Sequence, residues 1–351
     1  MVSCRGSGTC EPRKTVYFTV ISPFFRRKIR FGVLVWILAT ALGFAADPPI
    51  RYESSVDAMG STFSIAAWGS DRGNLAAAVE SALEEARRLD RMLSNYRPGS
   101  EWSTVNRSAA GRGVVVSQEL FDLLAACVRY SEQSEGTFDI TVGPLMRVWG
   151  FYKGSGRMPH RSEVRTALAR TGYKNLSLQT STRTVRFERD GLEIDPGGIG
   201  KGYAVDRMVD ILKAGGVSGA LINAGGSSMY GINTPPDEPR GWKVVIRDPR
   251  HAERHVAELY LKNQSMSTSG SYEKFFQVGK RIYSHIMDPR TGYPSQGMYS
   301  VSVVAPRGID SEAWTKPTYI QGRQWAAKHL PIGFRAFLCE NRGEAQCAWL
   351  Q

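Results

Sequence analysis

Apolar residues recur at helical spacing in four segments of the chain, and these segments are rich in residues that favour helices. The spacing predicts amphipathic α-helices at residues 74–94, 117–136, 162–172 and 202–216. Ser117 precedes the second helix as an N-cap, and the pair Gly215 and Gly216 ends the fourth. The polar stretch between the first two helices, residues 95–108, is predicted to be a loop.

Other segments alternate apolar and polar residues, which is the pattern of half-buried β-strands. They lie at residues 52–69, 175–196, 219–226, 241–249, 256–263 and 298–306. The segment 175–196 is expected to form a hairpin. Helices and strands follow one another in mixed order, without the regular alternation of a doubly wound sheet. The pattern therefore predicts an α+β fold, with mixed or antiparallel sheets flanked by helices, in one continuous domain over residues 50–351.

The first 46 residues have a different pattern. A basic stretch, FFRRKIR, precedes an uncharged apolar run from Phe31 to Ala46. This is the layout of a bacterial secretory signal, with cleavage expected after Ala45 or Ala46. The run is shorter than the roughly 20 residues of a spanning helix, and an uncleaved N-terminal anchor is the alternative. Residues 1–46 thus predict an exported protein, either periplasmic or associated with the outer face of the inner membrane through its N-terminus.

Net charge changes this picture little. The chain of 351 residues carries +12, and half of that excess comes from seven basic residues against one acidic residue before Phe31. No helix-turn-helix, zinc-finger or RNP-like pattern accompanies the rest, so a nucleic-acid partner is not expected. The mild excess that remains suits a phosphorylated small molecule.

Three cysteines follow the predicted export segment. Cys127 lies in an apolar helical pattern and is predicted to be a core residue. Cys339 and Cys347 are candidates for a disulfide near the C-terminus, formed in an oxidising compartment. Neither set has metal-site spacing beside histidines, so zinc is not expected.

Candidate chemistry lies in three segments. The glycine-rich EIDPGGIGKGYAVD, residues 193–206, stands between a strand and a helix, where a phosphate site and a plain tight turn are both open interpretations. GTFDITVGPLMRVWGF, residues 136–151, places Asp139 in an apolar setting. In residues 267–294, His285 lies beside an Asp-Pro-Arg-Thr-Gly loop, which favours a functional site over a structural histidine.

Together with their neighbours, these segments resemble the successive signatures of one family, the ApbE-type FAD:protein FMN transferases. The segments are, in order, MGSTFSI, LSNYRPGSEWSTVN, GTFDITVGPLMRVWGF, DPGGIGKGYAVDRMVDIL, ALINAGGSSMYG, STSGSYEKFF and YSHIMDPRTGYP. The resemblance runs from about Met59 to Gly322. It implies an ApbE-like fold and an enzyme that binds FAD and uses Mg²⁺. It also implies transfer of FMN, through a phosphoester, to a threonine of a target protein with release of AMP.

The resemblance also implies site residues. His285 is expected to be the general base that activates the acceptor hydroxyl, and an imidazole of near-neutral pKa suits that role. The residues expected to contact FAD are Met59, Tyr96, Thr137, Phe138, Asp139, Asp195, Lys201 and Ile286. Asp288 and Arg290 are expected to shape the loop around His285 rather than to perform chemistry.

The segment DSEAWTKPTY departs from the family pattern. Where the family has approximately Asp-Ala-x-x-Thr, this chain has Glu312 and Lys316 at the two ligand positions. The resemblance implies a Mg²⁺ bound by the backbone carbonyl of Gly198 and by side chains of this segment, so the ligands expected here are Glu312 and Thr315. A protonated lysine cannot ligate a metal.

Three interpretations of this departure are open. Lys316 replaces the ion as the positive charge beside the pyrophosphate, or Lys316 turns outward and Glu312 with Thr315 holds a weakened metal, or the site is inactive. Pro317 argues against a regular helix through residues 312–316, because the residue before a proline avoids the helical region.

Three functions are considered. The first is FMN transfer from FAD to a threonine of another protein. The second is an FAD pyrophosphatase that produces FMN and AMP, and the third is a non-catalytic FAD-binding or flavin-carrier protein. The acceptor pattern Asp-x-x-Ser/Thr-Gly-Ala-Ser/Thr does not occur in this chain, so the acceptor is expected to be a different protein.

Overall fold

The computed structural model describes residues 48–154 and 156–350. The predicted signal or anchor lies outside the described residues, and export stays a prediction. Among the helices in the described ranges, none combines the length and the apolar character that crossing a membrane requires.

Seven α-helices occur in the described ranges. They are α1 (Arg72–Leu93), α2 (Glu101–Ser108), α3 (Gln118–Gln133), α4 (Gly143–Val148), α5 (Arg161–Leu168), α6 (Gly200–Ala214) and α7 (Gly308–His329). Short 3₁₀ turns cover Phe151–Lys153, Tyr173–Asn175 and Pro196–Gly198. The four helices that the sequence predicts correspond to α1, α3, α5 and α6 and are confirmed.

The strands of the described residues form one large antiparallel sheet and several small ones. They are β1 (Ile50–Ala58), β2 (Ser61–Gly69), β3 (Val114–Val115), β4 (Leu176–Gln179), β5 (Thr184–Phe187), β6 (Gly219–Ala224), β7 (Ser228–Ile232), β8 (Trp242–Arg247), β9 (His255–Leu261), β10 (Gln264–Gly270), β11 (Phe275–Val278), β12 (Arg281–Ser284), β13 (Met287–Asp288), β14 (Tyr293–Pro294), β15 (Met298–Ala305), β16 (Arg335–Arg342) and β17 (Glu344–Trp349). The large sheet has the order β1-β2-β6-β7-β10-β15-β16-β17, and each neighbouring pair in it is antiparallel. The predicted α+β class and the β4–β5 hairpin are confirmed.

Helices α1 and α6 pack against each other and over the β1, β2 and β6 end of the sheet. Helix α7 packs on β10 and β15 and also against α6. Phe63, Ile65, Leu83 and Leu89 are fully buried between these layers. Their burial removes apolar surface from water, which is the main favourable term in folding. The layers bring the ends of α6 and α7 to the same side of the sheet, where the candidate site lies.

The predicted loop at residues 95–108 is wrong in part, because α2 occupies its second half. Ser100 is its N-cap and accepts a hydrogen bond from the amide of Ser103 at 2.9 Å. Trp102 and Val105, three residues apart, are both completely buried. A serine cap followed by two apolar residues at helical spacing is therefore enough to form a short helix here.

The expectation that Pro317 prevents a regular helix through residues 312–316 is also wrong. Helix α7 continues through Pro317 and loses helical geometry only at Gly322, where φ is 78° and ψ is −173°. Trp314 and Tyr319 on this helix are buried against the sheet, and the Tyr319 hydroxyl donates to the carbonyl of Met298 at 2.6 Å. Burial on this scale outweighs the local preference of the residue before a proline.

The two cysteine predictions are confirmed. Cys339 and Cys347 form a disulfide that joins directly opposite positions of the antiparallel strands β16 and β17. Cys127 is a free, completely buried cysteine in α3.

Candidate functional site

A cavity of about 500 Å³ lies where the segments singled out in the sequence meet. Its volume is within the range of small-molecule and cofactor sites. Every residue expected to contact FAD lines this cavity: Met59, Tyr96, Thr137, Phe138, Asp139, Asp195, Lys201 and Ile286. His285, Gly198, Glu312 and Lys316 line it as well. Thr315, Asp288 and Arg290 are not among its lining residues.

The turn between β1 and β2 forms one wall of the cavity. Met59 and Gly60 are its two central residues, and both have positive φ angles, 51° and 70°. Positive φ at both central positions is the geometry of tight hairpin turns that follow the twist of the strands, and it is strained for a methionine. The amide of Met59 donates to Asp90 Oδ1 at 2.9 Å, which fixes the turn to α1. Ser61, the next residue, lines the cavity, and its buried Oγ has no hydrogen-bond partner among the described residues.

Two carboxylates of the cavity lining fix the backbone. Asp139 accepts hydrogen bonds from the Thr141 amide at 2.7 Å and from the Tyr173 amide at 2.8 Å. Burial raises the pKa of Asp139 to about 6, although these hydrogen bonds act to lower it. Asp195 accepts from the Gly197 amide at 2.8 Å and from Asn95 Nδ2 at 3.0 Å. Asp195 therefore shapes the glycine-rich turn, and burial raises its pKa as well.

His285 follows strand β12, and an aromatic cluster holds this strand in place. Trp149 stacks on Tyr283 with ring centroids 5.6 Å apart, and Tyr283 stacks on Phe276 of β11 at 5.3 Å. The indole of Trp149 donates to the carbonyl of Gly292 at 2.9 Å, beyond the loop that follows the histidine. The segment around Trp149 is thus more than a structural turn, because it positions both sides of the His285 loop. Within that loop Arg290 donates to Asp288 Oδ1 at 3.0 Å, so these two residues shape the loop.

The imidazole of His285 is oriented by the carbonyl of Lys274, which lies 3.2 Å from its Nδ1. A carbonyl oxygen only accepts, so Nδ1 carries the proton in this contact and Nε2 is left as a proton acceptor. Burial, with the nearby ammonium groups of Lys274, Lys316 and Lys201 in support, lowers the pKa of His285 to about 4. The near-neutral pKa expected from the sequence is therefore not found, and the imidazole is a neutral but weak base.

The segment that departs from the family pattern contributes a lysine to the cavity. The Lys316 side chain is 20% exposed, and its Nζ lies 3.0 Å from the carbonyl oxygen of Glu312 and 3.9 Å from Glu312 Oε1. Its aliphatic stem packs on the glycine-rich turn, since a Cβ atom on Gly198 would lie 3.3 Å from Lys316 Cε. Lys316 does not turn outward, so the interpretation in which it does is wrong.

The two side chains expected as metal ligands, Glu312 and Thr315, each make other contacts. Glu312 Oε2 accepts a hydrogen bond from the Gly202 amide in the first turn of α6. Thr315 is fully buried, and its Oγ1 contacts the Glu312 carbonyl at 2.7 Å and Ser269 Oγ at 2.8 Å. Across the described ranges there is no cluster of three or more His, Cys, Asp or Glu side chains arranged to hold a metal. Mg²⁺ needs close octahedral oxygen ligation, so these residues do not fit it.

Several lining residues were not singled out from the sequence. Lys274 supplies the carbonyl that orients His285, and Ser227 Oγ accepts from Lys201 Nζ at 3.0 Å. Both lie in segments that resemble family signatures, but their types alone carry no signal. Tyr96 is 72% exposed and also borders a second, more open groove of about 910 Å³, which lacks His285 and the three lysines. We therefore place the candidate chemistry in the first cavity.

The chain is thus an α+β protein with one cavity lined by His285 and three lysines. The profile of the ApbE family matches residues 59–335. The FAD:protein FMN transferase of Klebsiella pneumoniae (strain 342) is 30% identical over 270 residues, which cover 74% of this chain and 76% of that protein. The one from Treponema pallidum (strain Nichols) is 30% identical over 310 residues, 84% of this chain and 85% of that protein.

Solved structures point to the same family. The ApbE protein of Thermotoga maritima is 30% identical and superposes with a TM-score of 0.78, over 85% of this chain and 97% of that chain. The apo form of the flavinyl transferase ApbE from Pseudomonas stutzeri is 28% identical, with a TM-score of 0.73 over 86% and 95% of the two chains. This chain belongs to the ApbE family.

Proposed function

We propose that this chain is an FAD:protein FMN transferase that attaches FMN, through a phosphoester, to a threonine of a partner protein and releases AMP. The observation that carries the proposal is the convergence of His285, Lys201 and Lys316 on one cavity beside the glycine-rich turn. Membership of a family whose curated relatives are FAD:protein FMN transferases supports the same activity.

The reaction has one bond formed and one broken. The threonine oxygen attacks the phosphorus of the FMN half of FAD, and the bond from that phosphorus to the bridging oxygen breaks, so that AMP leaves with the electron pair. His285 Nε2 accepts the hydroxyl proton, and the Lys274 carbonyl holds the ring in the required tautomer. Phosphoryl transfer depends mainly on positioning and charge neutralisation, which the lysines of the cavity provide.

The Mg²⁺ that the family resemblance implies is assigned no step here. Glu312 is hydrogen-bonded to α6, Thr315 is buried outside the cavity lining, and the Lys316 side chain packs against Gly198. A cation in that position would be repelled by Lys316 rather than bound.

The experiment that tests the function is a transfer assay. The mature protein is incubated with FAD and an acceptor protein that carries the Asp-x-x-Ser/Thr-Gly-Ala-Ser/Thr motif, and covalent flavin is followed by in-gel fluorescence. Flavin on the acceptor, lost when the acceptor threonine is replaced by alanine, is the expected result. Release of FMN and AMP without an adduct would instead identify a pyrophosphatase. FAD binding without turnover would identify a carrier.

We also propose that the protein is exported and acts in the periplasm or at the outer face of the inner membrane, with its N-terminus as the point of membrane association. The basic and apolar layout of residues 1–46 supports export. The Cys339–Cys347 disulfide supports an oxidising compartment. Cell fractionation of the full chain with its natural N-terminus tests this, and recovery in the cytoplasmic fraction would contradict it.

A further inference from the structure

We propose that Lys316 and Lys201 form a metal-independent binding site for the pyrophosphate of the dinucleotide, so that this chain binds and uses FAD without a divalent cation. The inference rests on the proposed function for the identity of the ligand. Its basis is the geometry of the two lysines and of the carboxylate beside them.

The ammonium of Lys316 has spare hydrogen-bonding capacity. It carries three N–H donors, and within the described ranges it makes one hydrogen bond, to the Glu312 carbonyl at 3.0 Å. The carboxylate of Glu312 lies 3.9 Å away, which is beyond hydrogen-bond distance. Because the side chain is held between α7 and Gly198 and remains partly open to the cavity, its free donors are available to a ligand there.

The charge of Glu312 does not cancel that of Lys316. Its Oε2 accepts from the Gly202 amide, in the positively polarised first turn of α6. Glu312 is thus shared between a helix N-terminus and an ammonium, whereas Lys201 adds a second ammonium to the same cavity. Among Lys316, Lys201 and Glu312 the two ammonium groups outnumber the one carboxylate, so this part of the cavity favours a negatively charged group such as a pyrophosphate.

A second, independent observation is a buried serine hydroxyl beside Lys201. A Cβ atom on Gly225 would lie 2.6 Å from Ser61 Oγ and 3.6 Å from Lys201 Nζ, so these two groups are neighbours around the glycine. Ser61 Oγ is buried and has no partner among the described residues. A buried hydroxyl without a partner costs free energy, and a phosphate oxygen would satisfy it.

In the transfer reaction this site would act on the leaving group. As the bond from the FMN phosphorus to the bridging oxygen breaks, negative charge develops on the AMP phosphate. A fixed ammonium stabilises that charge without coordinating a metal, as charge-assisted hydrogen bonds to phosphate do. The proton of the threonine hydroxyl still goes to His285, so the atoms and charges of the step balance without any further reactant.

The test measures FAD and riboflavin binding by flavin fluorescence, in excess EDTA and in excess Mg²⁺, with no acceptor present. We expect the wild-type protein to bind FAD equally in both buffers, within about twofold. Lys316→Thr should weaken FAD binding in EDTA by about tenfold or more, because one charge-assisted contact to phosphate is lost. Riboflavin lacks phosphate, so its affinity should stay unchanged. Lys316→Met, which keeps the aliphatic stem, should show the same loss.

Lys328→Met, an exposed lysine of the last turn of α7, is the matched control and should behave as wild type. FAD binding by the wild type that is lost in EDTA and returns with Mg²⁺ overturns the proposal, and this arm needs no variant. Unchanged FAD affinity of folded Lys316→Thr and Lys316→Met in EDTA overturns it as well. Cation-independent FAD binding without FMN transfer to an acceptor would remove the proposed function and leave this site standing.

Discussion

At the scale of single residues, the chemistry depends on a histidine whose proton affinity is set by its surroundings. Burial lowers the pKa of His285 to about 4, and three lysines add to that effect. An imidazole with this pKa is neutral above about pH 5, so it is always in the form that accepts a proton at neutral pH. With so low a pKa the imidazole binds a proton only weakly. The phosphates of bound FAD would raise its proton affinity during the reaction.

This environment predicts the pH dependence of the reaction. The pKa of His285 in the free enzyme governs kcat/KM for FAD on the acid side, so this kcat/KM should stay level from about pH 8 to about pH 5.5 and fall only towards about pH 4. His285→Gln should lower FMN transfer by about 10²–10⁴-fold and change FAD affinity little. His329→Gln, in the last turn of α7, is the control. An acid limb centred near an ordinary histidine pKa of about 6.5 would contradict the assignment.

The sequence was informative about which residues line the cavity and less so about what they do there. The segments around Met59, Asp195 and His285 carry local motifs, and their meeting in one cavity follows from the resemblance. The partners of Thr315 and Glu312 depend on how α7 lies on β10 and α6, which no local pattern records. The unpartnered hydroxyl of Ser61 is a property of packing alone.

At the scale of elements, α6 and α7 cap each other. Glu312 of α7 accepts from the Gly202 amide of α6, and Asp206 of α6 accepts from the amides of Gly308 and Ile309 at the start of α7. Amides in the first turn of a helix have no acceptor within the helix, so each helix satisfies the other. Lys316 belongs to α7, and the glycine-rich turn leads into α6. The contacts between the two helices therefore fix the position of Lys316 relative to that turn.

The contact between the two helices leaves no room for a side chain at Gly202. A Cβ atom there would lie 2.2 Å from the Gly308 carbonyl oxygen, a backbone atom that cannot move away without displacing α7. Gly202→Ala should therefore lower the free energy of unfolding by about 3 kcal/mol or more, and weaken FAD binding because Lys316 shifts with the helix. Urea unfolding measures the first effect. Gly99→Ala, at an exposed position with no atom within 4 Å of the new Cβ, is the control, and equal midpoints for the two variants would contradict the prediction.

Asp206 gives a second test of the same arrangement. Burial raises its pKa to about 6, above the ordinary value of 3.8. Between these values the folded state holds the proton more tightly than the unfolded state, so stability contributed by this group is present at low pH and is lost as pH rises through about 6. Wild type should therefore lose stability relative to Asp206→Asn between about pH 4.5 and pH 7, as measured by urea unfolding. A stability difference that does not change with pH would contradict this.

Local sequence patterns predict α1, α3, α5 and α6 and several of the strands, because their spacing is sustained. They fail where few residues decide the outcome. Helix α2 has only eight residues, and its Ser100 cap lies within a polar stretch that is typical of loops. Helix α7 continues through Pro317 because burial of Trp314 and Tyr319 outweighs one missing hydrogen bond. Both outcomes are set by tertiary packing.

At the scale of the whole molecule, the disulfide stabilises the fold but takes no part in ligand binding. The Cys339–Cys347 bond joins the last two strands of the large sheet and spans a sequence separation of 8 residues. In the chain-entropy account, closing so short a loop contributes about 2–3 kcal/mol. Reduction should lower the free energy of unfolding by about that amount and leave FAD affinity within about twofold, because neither cysteine lines the cavity. Loss of FAD binding on reduction would contradict this separation.

Ligand binding should stabilise the molecule as a unit rather than locally. The cavity is lined by segments that run from Met59 to Lys316 in the sequence and that belong to the β1–β2 turn, the α6 N-terminus, the His285 loop and α7. A ligand that binds only the folded state at about 100 times its Kd adds about 2.7 kcal/mol to the free energy of unfolding. FAD at that excess should therefore raise hydrogen-exchange protection in α6 and in α7 together, including amides such as Gly202 that no ligand touches.

AMP or riboflavin alone, at the same multiple of its own Kd, should give the same gain in global stability, since mass action depends only on saturation. Protection confined to the His285 loop would show that the walls of the cavity respond separately, and that the reciprocal caps of α6 and α7 do not couple them.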